Sequence, residues 1–130
     1  MKWILALALA LTFLASLASA QPHLVFVLGE KEYKTLETVP AFFEKDLRPL
    51  GYRATFFAAP SEGPDRNDFS GLAEALAEAD LVFISVRRRA PAGKDMTALK
   101  QFVANGKPVV AIRTSSHAFH LRGDPAPEGR

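Results

Sequence analysis

Leu24 to Leu28 follows His23 and is apolar at every position up to Gly29. A strand with one wet face alternates polar and apolar residues, so an unbroken run of this length suits a strand covered on both faces. Strands covered in that way are parallel, and parallel neighbours need crossover connections, usually helical. His23 to Leu28 is therefore expected as the central first strand of an α/β sheet. Leu81 to Val86 (LVFISV) and Val109 to Ile112 (VVAI) repeat the pattern and are expected as buried third and fourth strands.

The intervening stretches carry helical spacing. Thr35 is a candidate cap for a helix with apolar positions Leu36, Val39, Phe42, Phe43 and Leu47, stopped at Gly51. Pro40 falls about one turn in, where it costs less than in mid-helix. Tyr52 to Ala59 is interrupted by Arg53 and Thr55, which suits a strand at the sheet edge. Asp68 is a candidate N-cap for Phe69 to Glu78, with Leu72, Ala75, Leu76 and Ala79 as the apolar face. Lys94 to Asn105 is expected as the next helix, with Met96, Leu99, Phe102 and Val103 facing inward. The sum is a flavodoxin-like, doubly wound parallel sheet of about four strands, in order 2-1-3-4 if every crossover is right-handed.

Residues 122–130 have neither periodicity nor apolar content and are read as a disordered tail. A flavodoxin-like sheet ordinarily has a fifth strand and a covering helix, so the domain over 21–121 is read as incomplete, with an uncovered apolar edge on strand four.

Residues 1–20 are set apart from the fold. Met1-Lys2, an apolar stretch from Trp3 to Leu17 and Ala18-Ser19-Ala20 before Gln21 have the form of a secretory signal peptide. The alternative is an uncleaved anchor, because Trp3 to Ala20 is just long enough to span a bilayer. Export implies a periplasmic or extracellular protein with no membrane attachment after cleavage. The chain has no Cys, so packing alone must hold it together. Loss of Lys2 takes the basic count from 16 to 15 against 14 acids, and a net charge of +1 gives no reason to expect a nucleic-acid partner.

Side chains at the carboxyl ends of parallel strands line the ligand crevice of such a sheet. Three loops are expected on that rim: Gly29 to Lys34, Arg87 to Gly93 and Arg113 to His117. They bring Glu30, Glu32 and Tyr33 opposite Arg87, Arg88, Arg89 and Arg113, with Ser115, Ser116 and His117 alongside. Each group has two readings. The consecutive arginines are either a solvated loop or a grip on a ligand anion. Arg113, leaving a buried strand, needs a carboxylate such as Glu30 or a ligand. Thr114 or Ser115 is either a helix N-cap or a hydroxyl facing the ligand. His117 is the candidate proton-transfer group, with His120 one turn on.

No metal site is expected, since neither His-rich spacing nor a carboxylate pair accompanies His117. No cofactor is expected either: GxGxxG after strand one, GxxxxGK[ST] and the GxSxG elbow are all absent.

The segments LVFVLGEKEYKTLETVPAFF, ADLVFISVRRRAP and FVANGKPVVAIRTSSHAF, in that order, resemble the trehalose-utilization (ThuA-like) family, in particular its secreted bacterial members. The resemblance runs from Leu24 to Leu121 and covers the amino-terminal part of such a domain. It implies a class I glutamine amidotransferase-like fold, related to flavodoxin, and a role in carbohydrate metabolism. Amidotransferase relatives carry a nucleophilic Cys in the turn after this strand, in a pattern similar to G-I-C-x-G-H. Ala111-Ile112-Arg113-Thr114-Ser115 stands there instead, so that chemistry is not inherited. Many ThuA-like proteins have a His near the turn, and His117 is its match.

Two function classes stay open: an exported domain that binds or processes a sugar or other small polar ligand at the rim, and a non-catalytic binding module or inactive fragment. The oligomeric state is left open as well.

Overall fold

The computed structural model describes residues 21–123, 125–128 and 130. Residues 1–20, where a signal peptide is expected, lie outside the described residues. Four parallel strands form one sheet in the order β2-β1-β3-β4, as the crossover argument requires. They are β1 (His23–Gly29), β2 (Arg53–Ala58), β3 (Leu81–Val86) and β4 (Val109–Ala111). The architecture is flavodoxin-like, with helices on both faces: α1 (Thr35–Phe42), α2 (Leu72–Glu78) and α3 (Gly93–Ala104).

β1 is buried along its whole length because it pairs on both sides, Val25 with Thr55 of β2 and with Val82 of β3. Its side chains divide the core by the two-residue period of a strand. Val25 and Val27 join Val82, Ile84 and Val86 under α2 and α3, where Leu72, Leu76, Leu99 and Phe102 close the layer. Leu24, Phe26 and Leu28 face α1, against Val39 and Phe43. Phe26 is the centre of that second layer, stacked on Phe56 at 4.7 Å between ring centres and edge-on to Phe43 at 5.9 Å.

Strand four departs from expectation. Only three of its residues pair, Val109 to Ala111 with Val82 to Ile84, and all three are exposed. An apolar run gives a strand but not its cover. Among the described residues nothing packs outside β4, and α1 alone serves its face of the sheet. An apolar groove of about 350 Å³ therefore lies open between Leu47, Phe83 and Val110.

The helix ends are also corrected. Thr35 does not cap α1; Lys34 does so from a left-handed conformation at φ 55°. Past Phe42 the helix widens into a π turn over Phe43–Leu47 and tightens into a 3-10 turn over Arg48–Leu50. Pro49 has no amide to continue a regular helix, and Gly51 at φ 87° ends it. Phe42 and Phe43 cannot share one face, since successive helical residues lie about 100° apart. Phe43 is buried and Phe42 is half exposed. The second helix begins at Leu72, not Phe69, because the Asp68 carboxylate accepts both the Ser70 amide (2.9 Å) and its hydroxyl (2.5 Å), holding a turn ahead of it. On α3, Leu99 and Phe102 face inward as expected, whereas Val103 is exposed.

Candidate functional site

β1 delivers Gly29 and then Glu30 to the carboxyl rim. A methyl group on Gly29 would come within 3.3 Å of the Phe69 ring and 3.4 Å of Arg89, so the bare backbone is what lets Arg89 lie across the strand end. Glu30 is buried, and its carboxylate is committed to its own loop. It accepts the Tyr33 amide (2.9 Å), the Thr35 amide (3.1 Å) and the Thr35 hydroxyl (2.5 Å).

The three arginines after β3 are held as an extended span. The Arg87 amide donates to the Gly29 carbonyl (3.1 Å), and the Arg88 and Arg89 amides donate to the carbonyls of His117 (3.4 Å) and Ala118 (2.8 Å). Their side chains then diverge. Arg87 pairs with Glu32. Arg88 sits at φ 52°, a left-handed conformation that costs a non-glycine residue about 1 kcal/mol. Arg89 is buried and donates to the carbonyls of Arg87 (3.0 Å), Pro60 (3.4 Å) and Ser61 (3.4 Å).

The segment after β4 forms a short 3-10 helix, Arg113–His117, in place of the expected α-helix. Its hydroxyls divide by role. Ser115 donates to the Ile84 carbonyl (2.9 Å) and accepts the Val86 amide (3.3 Å), while Thr114 donates to the Val86 carbonyl (3.4 Å). These two side chains staple the turn to β3 and are neither helix caps nor free groups. Ser116 is exposed, with its hydroxyl 3.1 Å from His117 Nδ1. Among the described residues no carboxylate bonds His117, so the pair lacks the third group that orients a hydrolytic base. Partial burial holds the His117 pKa below its ordinary value, and the charges of Arg88, Arg87, Arg122 and His120 act in the same sense. The imidazole is thus mostly neutral near pH 7 and fit to accept a proton.

Arg113 needs neither the carboxylate nor the ligand that a buried strand would have required. Because β4 is exposed, so is Arg113, and its guanidinium carbon lies 4.5 Å from the centre of the Tyr33 ring. Such a stack is worth about 0.5–1 kcal/mol at an exposed site.

The expected rim residues therefore fall into two neighbourhoods. Glu30, Arg87 and Arg88 line a cleft of about 240 Å³. Tyr33, Arg113, Ser115, Ser116 and His117 do not line it, and join it through the Arg88–His117 backbone bond. The cleft also includes Lys31, Ser61, Arg66, Arg89 and Arg122, most of which the sequence reading did not place there. Arg66 and Ser61 belong to the loop after β2, which parallel pairing puts on the same rim as the loops after β1 and β3. That loop is tied in by the Asn67 side chain, which accepts the Ala90 amide (2.9 Å), and by Arg66, which donates to the Arg88 carbonyl (3.2 Å).

Among the described residues no group of three or more His, Asp or Glu side chains is placed to hold a metal ion, and no helix is long and apolar enough to cross a membrane. No family model, curated protein or solved structure matches the chain.

Proposed function

We propose that the chain is an exported ThuA-like domain that binds or processes a carbohydrate or other small polar ligand at the carboxyl-end rim of its sheet. The observation that carries this reading is the cleft of about 240 Å³ where the loops after β1, β2 and β3 converge. β1 and β3 flank the point at which the strand order reverses, where open α/β sheets take their ligands. In this reading Arg87 and Arg88 hold oxygen atoms of the ligand, Ser116, Tyr33 and Arg113 border its exposed side, and His117 takes up a proton. The three sequence segments that resemble the ThuA-like family support the assignment to sugar chemistry, and Ala18-Ser19-Ala20 supports export to the periplasm or the exterior.

Binding and turnover of a panel of sugars by the full chain, with His117→Ala and Arg113→Ala beside it, test the reading. His117→Ala is expected to lower turnover by about a hundredfold or more, the usual scale of a lost proton-transfer group, while binding survives. Binding and turnover unchanged in both variants would overturn it.

A second reading, a binding module without catalysis, is favoured by the commitment of Glu30 and Ser115 to structural bonds. It predicts saturable binding with no turnover of any ligand in the panel.

A further inference from the structure

The cleft is built for charge to a degree that a neutral ligand does not require. Six cationic side chains line it against two carboxylates, Glu30 and Glu32. Both carboxylates are already engaged, Glu30 by the Tyr33 and Thr35 groups and Glu32 by Arg87. Lys31 in turn pairs outward with Glu62 at 2.7 Å. Arg66, Arg88, Arg89 and Arg122 are left with no carboxylate bonded to them among the described residues.

The donors themselves are also unfilled. Arg88 Nε and Nη1 are out of solvent contact and make no hydrogen bond among the described residues, and the same holds for Arg87 Nε and Arg89 Nε. An N–H group held away from water without an acceptor is costly, and more so on a cation. The side chain of Arg89, 5% exposed, meets only neutral backbone carbonyls. Burial and the neighbouring arginines both act against the charges of Arg88 and Arg89, and for Arg89 the nearby Glu30 carboxylate offsets this only in part. A bound anion would reverse each of these penalties together.

We propose that the cleft takes a phosphoryl group, carried on the small polar ligand of the rim. The inference rests on the reading given under Proposed function and narrows its ligand to an anionic one. A carboxylate is met by one arginine through two parallel bonds, whereas a phosphoryl group offers oxygens in several directions. The arginines here approach from three separate segments: Arg66 from the loop after β2, Arg87 to Arg89 from the loop after β3, and Arg122 from beyond the last turn. With His117 beside Arg88, the phosphoryl end of the ligand would sit in the cleft and its polar body would extend toward the Ser116–His117 pair.

The test is equilibrium dialysis of the full chain against inorganic phosphate, against trehalose and against a hexose phosphate, at constant ionic strength. Arg88→Gln and Arg66→Gln are the variants, and Lys100→Gln, which lies outside the cleft on α3, is the control. Phosphate is expected to bind saturably and to compete with the hexose phosphate. Arg88→Gln should weaken it at least about tenfold, as loss of a charge-assisted bond does, and Lys100→Gln should leave it unchanged. Arg66 is exposed, so Arg66→Gln gives the same comparison if Arg88→Gln does not fold. Absence of saturable phosphate binding, or equal affinity in the cleft variants and the control, overturns the inference. Trehalose binding without phosphate binding overturns the phosphoryl site alone and leaves the broader rim reading standing. Phosphate binding without binding of either sugar upholds the site and removes the carbohydrate from that reading.

Discussion

The carboxylate of Glu30 and the hydroxyl of Thr35 lie 2.5 Å apart, and together they close the first loop onto the start of α1. The sequence suggested a helix cap in Thr35 and a ligand or arginine partner in Glu30. The pair instead satisfies itself, and it sets where the loop beside the arginine cleft runs.

Glu30→Ala leaves three donors without their acceptor and is expected to cost about 2–3 kcal/mol of stability. Glu30→Gln keeps the shape and one acceptor oxygen, and should cost less. Urea unfolding of both variants checks the order. A full loss in Glu30→Ala beside none in Glu30→Gln would mean that packing, and not the carboxylate's hydrogen bonds, holds the loop.

Ser115 and Ser116 are neighbours with opposite expected behaviour. Ser115→Ala removes the bonds to the Ile84 carbonyl and the Val86 amide, and should destabilise the protein by about 1–2 kcal/mol. Ser116→Ala, at an exposed position, should stay within about 0.5 kcal/mol of the parent. Thermal melts of the two variants side by side decide this, and a reversed order would show that the turn is not fastened through Ser115.

His23 gives the fold a pH dependence. It is buried at the start of β1, its Nε2 is 2.9 Å from the Thr55 hydroxyl, and its pKa is lowered, first by burial and then by Arg53. The folded protein therefore binds the proton less readily than the unfolded chain does. Stability should fall as the pH drops through the ordinary histidine value near 6.5, and level off once the folded state protonates as well. His117, shifted in the same direction, adds to the trend. Urea midpoints between about pH 7.5 and 5.5 should slope downward in the parent and less steeply in His23→Gln. Parallel slopes would remove His23 from the account.

His117 reports on the arginines beside it. Arg88→Gln removes the largest of the charges that hold its pKa down, so proton NMR titration of the ring should show the value rising toward the ordinary one. Burial, the larger cause, stays in place, so the recovery should be partial. No movement would separate His117 from the cleft electrically.

Much of this architecture was legible because a few runs decide it. An unbroken apolar β1 fixed a central parallel strand, and right-handed crossovers left one strand order. The site was legible only as a rim. Arg87, Arg88 and Glu30 could be assigned to one end of the sheet, but not the direction of each side chain, because consecutive loop residues diverge. Arg66 was missed for a different reason: β2 was treated as a mere edge, although the loop after an edge strand opens on the same rim as its neighbours. The incomplete-domain reading already left β4 an uncovered edge, but the strand itself was expected to be buried, and its residues are exposed because an apolar sequence cannot report whether anything covers its faces. Arg113 followed from that error, since its supposed need for a counter-charge depended on a strand buried around it.

The short β4 sets a hierarchy of opening within the rim. The arginine span hangs from β3 and the end of β1, both in the fully paired middle of the sheet. The turn bearing His117 hangs from a three-residue edge strand and the Ser115 staple. Edges with few buried contacts exchange their amide hydrogens through local fluctuations that leave the centre intact. Exchange should therefore be slow along β1 and at the Arg87 amide, which bonds the Gly29 carbonyl, and fast at Val110 and Ile112, with one wall of the cleft steady while the other breathes. A ligand bridging Arg88 and His117 would join the two walls, and its binding would register as slower exchange along β4.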